Sequence, residues 1–356
     1  MAKFAIFVVS TPLQLLNAIE ACSELELELG RAVLWVLVKN PEHWVTWRCA
    51  QSIECLPFTR VRLLELSRVS VVDGVFSVFK GLLANSAQIR SLASEHRMCT
   101  HFFLGNPKTR EHLYLASMFS NARITILDDG TGTVSFLERV RARGGRAGGG
   151  LGIKAGVLPA LKEVLFRIFY GSYRRPLLSA DFYTAFVSQA EAAGFVARKN
   201  NYTWLVSRLQ GKEARQGTHF LGAPFVERNE LAWNNYRDWL ETAMALLPGP
   251  VLYVAHWAES DAQLERIERE LGLPCRRFDQ PYELQYLVGD AAPACVASWF
   301  SSALDVLSLV PGTHARLLAF RVPVEAFRKA DIAASALSFY ERHGAGQHVV
   351  EIKALS

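Results

Sequence analysis

The sequence lacks the features that would place it across a membrane, in an oxidising compartment or on nucleic acid. No apolar run in its 356 residues is long enough to cross a bilayer. The first apolar stretch, Lys3–Val9, is short and has no small-residue cleavage pattern, so we expect a buried strand rather than a signal peptide. Six scattered cysteines form no Cys-x-x-Cys pair, which favours reduced thiols over disulfides or metal ligands. A formal net charge of +5 does not by itself indicate a nucleic-acid partner.

The usual cofactor signatures are also absent. No Gly-x-Gly-x-x-Gly follows the first predicted strand, and no phosphate-binding loop ends in Lys-Ser or Lys-Thr. Neither a dinucleotide nor a nucleoside triphosphate is therefore favoured. No His, Cys or carboxylate cluster has metal-ligand spacing, and adjacent Asp128-Asp129 differs from the separated Asp-x-Asp pair that often holds a metal diphosphate. We expect a ligand with one phosphate, no cofactor and no metal.

What the sequence does contain is two series of alternating strands and helices. The predicted strands are Phe4–Val9, Ala32–Val38, Val61–Leu66, Thr100–Leu104 and Arg123–Leu127 in the first series, and Thr218–Leu221, Val251–Ala255, Ala294–Ser298 and Thr313–Ala319 in the second. A repeated β-α order predicts parallel sheets covered on both faces. We therefore expect an α/β protein of two Rossmann-like, doubly wound domains, residues 1–215 and 216–356, facing a central cleft. The last predicted helix, about Ile332–His343, is a candidate to pack back on the first domain.

A basic segment interrupts this order between Arg139 and Arg175. It holds nine basic residues against a single acid, Glu163. Its apolar residues at helical spacing are Leu158, Leu161, Val164, Leu165 and Ile168. A basic amphipathic helix suits an anionic membrane surface. An ordinary packed helix with a solvated basic flank fits the same pattern, so both interpretations stay open.

Polar residues stand at predicted strand ends or helix starts, where open α/β sheets bind ligands. They are Asp128-Asp129 after Ile124–Leu127, His256 after Val251–Ala255, Ser301-Ser302 between a strand and a helix, and Glu283. Adjacent carboxylates repel each other, so one can titrate high and serve as a general base. Serine hydroxyls at a helix N-terminus can bind phosphate, and a carboxylate can hold ribose hydroxyls. Each position also has a structural alternative: a turn cap, a buried histidine, a helix cap and a surface acid.

Five stretches of the chain resemble, in order, motifs of the bacterial glycosyltransferase family 52. They are Ser10–Ala18 near the start, the acidic motif Leu127–Gly132, the domain-junction strand Phe220–Pro224, Pro281-x-Glu283, and Phe300–Leu304. The family includes lipooligosaccharide sialyltransferases, and related sialyltransferase families share acidic-glycine, histidine and serine motifs on a GT-B fold. The resemblance implies a GT-B-like arrangement, a CMP-sialic acid donor and an inverting, metal-independent transfer to a bacterial surface glycan.

The resemblance also implies roles for individual residues. Asp129 is the first candidate for the base that deprotonates the acceptor hydroxyl, and Asp128 is the second. His256 would hydrogen-bond or protonate the departing CMP phosphate. The donor-binding residues would be Ser301 and Ser302 on the phosphate, Glu283 on the ribose, and Gly222 and Pro224 beside them. The substrate-binding residues on the acceptor side would be Thr11, Gln14, Asn106 and Gly130.

Two positions depart from the family pattern. The family histidine is often followed by proline, whereas Trp257 follows His256. Some members carry an acid, proposed as the base, just after the Leu-Gly-x-Pro stretch, whereas Phe225 stands there. The second departure directs the base role to Asp128-Asp129 or leaves it open.

The working hypothesis is a sialyltransferase at the cytoplasmic face of the inner membrane, with a glycan or glycolipid acceptor. Peripheral contact with anionic lipid would run through residues 139–175, and the family's dimers leave a homodimer open. The alternatives are a transferase of another CMP-activated acid sugar (Kdo, legionaminic or pseudaminic acid), an α-glucosyltransferase that uses a nucleotide diphosphate sugar, or a non-enzymatic membrane- or glycan-binding module.

Overall fold

The computed structural model describes residues 4–25, 31–69, 75–142, 157–171, 173, 175–209, 214–288, 292–310, 313–344 and 350–354. These residues form two compact units, unit 1 within Met1–Asn200 and unit 2 within Asn201–Ser356. No helix within the described ranges is long and apolar enough to cross a membrane.

Unit 1 is built on a seven-stranded parallel sheet with helices between the strands. Its strands are β1 (Ala5–Val9), β2 (Ala32–Val38), β3 (Arg60–Glu65), β4 (His101–Leu104), β5 (Arg123–Leu127), β6 (Asp181–Thr184) and β7 (Ala197–Lys199). Its helices are α1 (Pro12–Glu24), α2 (Trp44–Ser52), α3 (Val75–Glu95), α4 (Arg110–Ser117), α5 (Thr131–Ala142), α6 (Val157–Tyr170) and α7 (Val187–Ala192). β1 and β2 are buried along their whole length, as expected for apolar central strands of a parallel sheet.

The strand order of unit 1 creates a point where the direction of winding reverses. The order is β3-β2-β1-β4-β5-β6-β7, so the reversal falls between β1 and β4. Ligands of open α/β sheets bind outside the carboxyl ends of the strands at such a point. Thr11 follows β1, Asn106 follows β4 and Asp129 follows β5, so these three residues lie at or beside it.

Unit 2 repeats the design with a six-stranded parallel sheet. Its strands are β8 (Ala214–Leu221), β9 (Val251–Val254), β10 (Cys275–Arg276), β11 (Ala292–Ser298), β12 (Arg316–Arg321) and β13 (Val350–Ala354). Its helices are α8 (Thr203–Leu209), α9 (Trp233–Leu246), α10 (Asp261–Leu271), α11 (Tyr282–Val288), α12 (Ser302–Leu309) and α13 (Ala330–Gly344). The order β10-β9-β8-β11-β12-β13 reverses between β8 and β11, beside Gly222 and Ser301 at the ends of those strands.

The α/β class and the two doubly wound domains are confirmed. The contacts divide the chain after Asn200, because α8 packs against α11, whereas the sequence placed the boundary at residue 215. The last helix, α13, packs within unit 2, where the Tyr340 hydroxyl donates to the carbonyl of Phe320 at 2.9 Å. The sequence did not predict strands β6, β7, β10 and β13. A central cleft between the domains stays a prediction.

The predicted basic segment 139–175 is described in part. α6 occupies its second half and packs through Phe166 and Tyr170, whereas Val164 and Ile168 are exposed. Arg143, Arg146, Lys154 and Arg174 lie outside the described residues.

Candidate active site

The two adjacent aspartates at the end of β5 have different surroundings. Asp128 is 1% exposed, and its Oδ2 accepts hydrogen bonds from the Thr184 hydroxyl at 2.8 Å and the Ala185 N–H at 3.1 Å. Its Oδ1 accepts from the Gly130 N–H at 3.2 Å. Gly130 has a φ of +59°, a conformation that favours glycine, and it carries the chain into α5. Asp128 therefore ties β5 to the end of β6, and its geometry is that of a structural residue rather than a base.

Asp129 is only half-buried, and its carboxylate lies between the ends of β1 and β4. The Thr11 hydroxyl donates to Oδ1 at 3.1 Å, and Nδ2 of Asn106 donates to Oδ2 at 3.2 Å. Burial raises the pKa of Asp129 from 3.8 to about 6, even though Gln14, Thr11 and Lys108 favour the ionised form. A carboxylate with a pKa near the working pH is suited to accept a proton.

Thr11 and Asn106 are held in place by their own backbone environments. Thr11 caps α1, and its hydroxyl oxygen accepts from the N–H of Gln14 at 3.3 Å. The N–H of Lys108 donates to Oδ1 of Asn106 at 2.8 Å, which leaves the amide nitrogen of Asn106 facing Asp129. Both side chains therefore orient the candidate base directly.

Gln14 does not occupy the position expected of a substrate-binding residue. Its side chain is fully buried, and Oε1 accepts from the Ser10 N–H at 2.8 Å. The same side chain helps to lower the pKa of Asp129. The prediction that Gln14 binds substrate is therefore wrong, because a fully buried side-chain amide offers no accessible surface to a substrate. Gln14 instead favours the ionised form of Asp129.

Lys108 is a member of this group that the sequence did not reveal. Its Nζ donates to the carbonyl of Gly132 at 2.8 Å, and its charge favours ionisation of Asp129. Burial and the nearby charge of Arg139 lower the pKa of Lys108 to about 8, so its ammonium group is still largely charged at neutral pH. The only available sequence signal was its position two residues after Asn106.

A serine–histidine contact near this site does not form a nucleophile–base pair. Oγ of Ser10 lies 2.8 Å from Nε2 of His112, and Nδ1 of His112 accepts from the Asn106 N–H at 3.2 Å. Because Nδ1 is an acceptor, the proton of the neutral ring resides on Nε2 and points at Ser10. Burial keeps the pKa of His112 at about 3, so the ring stays neutral. His112 instead links Ser10 to the backbone of Asn106 and so fixes the loop that carries Asn106.

His256 follows β9 in unit 2 as a neutral hydrogen-bond donor. Its Nδ1 accepts from the N–H of Ala258 at 3.1 Å, so the ring proton resides on Nε2. Burial, and then the charge of Arg228, lowers the pKa of His256 to about 3. Within the described residues Nε2 has no hydrogen-bond partner. The ring can therefore donate one hydrogen bond to a ligand but cannot readily supply a proton at neutral pH.

A buried carboxylate, Glu259, holds the loop that carries His256. Its Oε2 accepts from the backbone N–H of His256, and its Oε1 accepts from the Tyr253 hydroxyl, both at 2.6 Å. The Tyr253 hydroxyl contacts that of Tyr236 at 2.7 Å. A Cβ on Gly222 would lie 2.3 Å from the Tyr253 hydroxyl oxygen, so only glycine fits there. The loops after β8 and β9 therefore meet over one buried polar network, which the sequence did not reveal.

Ser301 and Ser302 open α12 at the winding reversal of unit 2. Ser301 is the N-cap, and its Oγ accepts from the Ala303 N–H at 3.2 Å, so the structural alternative of a helix cap is realised. Capping does not exclude anion binding, because the first N–H groups of a helix lack partners within the helix. Both serines remain partly exposed.

Glu283 is buried, and the surface-acid alternative is therefore wrong. It lies in the first turn of α11, which packs against α12, and it is 5% exposed. Burial raises the pKa of Glu283, and no cation among the described residues pairs with it. A buried carboxylate without a cationic partner is stabilised when hydroxyl groups donate hydrogen bonds to it.

Pro224 and Phe225 complete the loop after β8. The carbonyl of Pro224 accepts from the N–H of Arg228 at 3.0 Å, so Pro224 shapes the backbone of the loop. Phe225 is 5% exposed and stacks on Phe300 at a ring-centroid distance of 5.3 Å. A packed phenylalanine cannot accept a proton, so this position supplies no base.

The described residues contain no group of three or more His, Cys, Asp or Glu arranged to hold a metal ion.

Comparison with known proteins identifies the fold. No protein-family model matches the sequence, and no curated protein matches it. Among solved structures, the chain is similar to LpCGTa in complex with UDP (TM-score 0.51, 14% identity, 99% of this chain and 84% of that chain). It is also similar to Glycyrrhiza uralensis UGT73P12 complexed with glycyrrhetinic acid 3-O-monoglucuronide (0.50, 9%, 100% and 83%). A third similar structure is the spinosyn forosaminyltransferase SpnP (0.50, 10%, 100% and 87%). The chain therefore has the GT-B fold of two Rossmann-like domains.

Proposed function

We propose that the protein is an inverting, metal-independent sialyltransferase that moves sialic acid from CMP-sialic acid to a hydroxyl of a bacterial surface glycan. The observation that carries the proposal is Asp129, a half-buried carboxylate oriented by Thr11 and Asn106, with its pKa raised to about 6. The GT-B fold supports the wider assignment to glycosyl transfer, and the resemblance of five stretches to family 52 motifs agrees with it.

The proposed chemistry uses Asp129 as a general base. Its carboxylate takes the proton of the acceptor hydroxyl while the acceptor oxygen bonds to the anomeric carbon of sialic acid. The bond from that carbon to the phosphate oxygen breaks, and its electron pair leaves with CMP. Attack on the face opposite the departing CMP inverts the configuration at the anomeric carbon. The base accounts for roughly 10²–10⁴-fold of the rate.

Unit 2 supplies the donor-binding groups in this proposal. The N-terminus of α12, with Ser301 and Ser302, binds the single phosphate of CMP. Nε2–H of His256 donates to a phosphate oxygen and stabilises the charge that develops there. Glu283 accepts hydrogen bonds from the ribose hydroxyls, which satisfies its buried carboxylate.

A nucleotide diphosphate sugar is the second candidate donor. LpCGTa, which has the same fold, was solved in complex with UDP. Transfer from UDP-glucose would keep Asp129 as the base and use the same helix N-terminus for a diphosphate. The two candidates differ in the leaving group, which can be measured directly.

The donor is tested by incubating the protein with a galactose-terminated oligosaccharide and, in separate reactions, CMP-sialic acid, CMP-Kdo or UDP-glucose, with EDTA present. We expect CMP release and a sialylated product only with CMP-sialic acid, at a rate unaffected by EDTA. Product formed from UDP-glucose or CMP-Kdo, with none from CMP-sialic acid, would contradict the proposed donor. Reactions without acceptor separate transfer from donor hydrolysis.

The transfer rate should rise with pH as Asp129 ionises, with a midpoint near its pKa of about 6. Replacing Lys108 by Met removes a positive charge that favours the ionised carboxylate, so we expect the midpoint to move to higher pH. The loss of kcat/KM should therefore be greater at pH 6 than at pH 8. The pH profiles of the native protein, Lys108→Met and the control Lys80→Met, an exposed lysine of α3, test this expectation. An unchanged midpoint in Lys108→Met would show that Lys108 does not act on the base.

A further inference from the structure

Helix α3 presents a row of apolar side chains to solvent. Phe76 is 71% exposed, and Phe79 and Leu83 are also exposed. Their spacing of three and four residues places them on one face of the helix. The opposite face is already anchored, because Val78 and Leu82 are buried in the core of unit 1. The exposed row is therefore not needed to hold α3 on the sheet.

Helix α6 adds a second exposed apolar row beside the first. Ile168 is 67% exposed and Val164 is exposed one turn earlier, whereas Phe166 and Tyr170 hold α6 on the core. The two helices pack together, with the rings of Phe79 and Phe169 in edge-to-face contact at 5.1 Å. The exposed residues of the two helices therefore form one surface, here called the α3–α6 face: Phe76, Phe79, Leu83, Val164 and Ile168.

The charged residues described within the α3–α6 face are positive. Lys80 lies within the row on α3, with its Nζ 4.6 Å from the centroid of the Phe76 ring, and exposed Arg167 lies beside Ile168 on α6. The stretch Val75–Arg90 contains no acidic residue. An apolar surface interspersed with lysine and arginine complements the interface of an anionic bilayer.

The α3–α6 face begins at the edge of the sheet that carries Asp129. α3 is the helix that follows β3, so its first turns, with Phe76 and Phe79, begin at the carboxyl end of the parallel strands. Asp129 follows β5 at that same edge. A surface that held these turns on a bilayer would bring this edge close to acceptors anchored in lipid.

We propose that the α3–α6 face docks on an anionic lipid bilayer, with its apolar side chains in the interface and Lys80 and Arg167 at the headgroups. This inference extends the membrane contact predicted for residues 139–175 to α3, which the sequence did not implicate. It does not depend on which sugar the protein transfers.

The experiment is co-sedimentation of the full chain with vesicles of phosphatidylcholine alone or mixed with phosphatidylglycerol, at low and high salt. We expect binding to the mixed vesicles, weakened by salt. Phe76→Ser with Ile168→Ser should weaken partitioning by roughly tenfold or more. Lys80→Glu with Arg167→Glu should weaken it by about fivefold or more per site. The matched controls are Met98→Ser and Leu246→Ser, exposed apolar residues outside the face, which should bind as the native protein does.

Thermal unfolding measures whether each variant is folded. We expect all of them to fold, because every replaced side chain is exposed. Binding that is equal for both vesicle types, or that survives both double variants, would overturn the proposal. Sedimentation velocity supplies a further test. If the native protein forms a concentration-dependent dimer, and Phe76→Ser with Ile168→Ser dissociates this dimer while vesicle binding persists, the proposal is also overturned. The α3–α6 face would then be an interface between two copies of the chain. These outcomes are independent of the donor assay.

Discussion

Asp129→Asn is expected to reduce the rate of transfer by about 10²–10⁴-fold while leaving the affinity for CMP unchanged. The amide keeps the size of the carboxylate but cannot accept the proton of the acceptor hydroxyl. CMP binding should survive because the donor-binding residues proposed above belong to unit 2, whereas Asp129 belongs to unit 1. Single-turnover transfer and calorimetric titration with CMP measure the two quantities separately.

The same substitution should not destabilise the protein above pH 6. Burial raises the pKa of Asp129 from 3.8 to about 6, so the folded state binds this proton more tightly than the unfolded state does. The stabilisation that the proton provides is complete below pH 3.8 and is lost as the pH rises through about 6. At neutral pH the ionised carboxylate therefore costs up to about 3 kcal/mol relative to an unperturbed aspartate. A neutral amide removes this cost, and the midpoint of thermal unfolding at pH 7.5 should be equal or higher.

Asp128→Asn provides the matched control, since it makes the same chemical change one residue earlier. An amide at this position cannot accept from Thr184, Ala185 and Gly130 as the carboxylate does. A backbone donor left without its acceptor costs about 1–3 kcal/mol. Burial also raises the pKa of Asp128, so a neutral amide offsets part of this cost, and we expect an unfolding midpoint below that of Asp129→Asn. The folded fraction should keep much of its transfer rate. If Asp128→Asn abolished transfer in a fully folded protein and Asp129→Asn did not, the roles assigned to the two residues would be reversed.

The ends of the central strands, where the candidate residues lie, could be predicted from the sequence. Central strands of a parallel sheet are buried on both faces, so β1, β2 and β5 appear as apolar runs that end abruptly at the first polar residue. Residues such as Asp128-Asp129 and His256 mark these ends because the chain leaves the core there. Short strands carry less of this signal, and β7, of which two residues are exposed, was missed.

The different roles of the residues within the candidate site could not be predicted from the sequence in the same way. Asp128 and Asp129 are chemically identical, and only the donors supplied by residues about 20 to 120 positions away distinguish them. The burial of Glu283 depends on how α11 packs against α12, which the local pattern does not encode. Lys108 and Glu259 were missed because single charged residues resemble ordinary surface charges until the fold buries them.

His256→Ala is expected to lower kcat by about 10²–10³-fold, the usual loss when one donor to a developing negative charge is removed. Two roles for His256 would produce this loss, because in the proposed reaction the ring could donate either a hydrogen bond or its proton to the CMP that leaves. The structure favours the hydrogen bond. Nδ1 accepts from Ala258 and burial lowers the pKa of the ring to about 3, so the side chain is neutral throughout the working pH range. A phosphate monoester has its second pKa near 6 and can leave as a dianion without a proton.

His256→Gln distinguishes the two roles, because its side-chain amide can donate a hydrogen bond from nearly the position of Nε2 but has no proton to release. A hydrogen-bonding role predicts that Gln recovers part of the rate lost in Ala, and that the native rate stays level between pH 7 and about 9, beyond the ionisation of Asp129. A general-acid role predicts that Gln is as slow as Ala and that the native rate falls as the imidazolium is lost. Pre-steady-state measurement of CMP release across this pH range, with both variants, therefore decides whether unit 2 assists departure by charge stabilisation or by proton transfer.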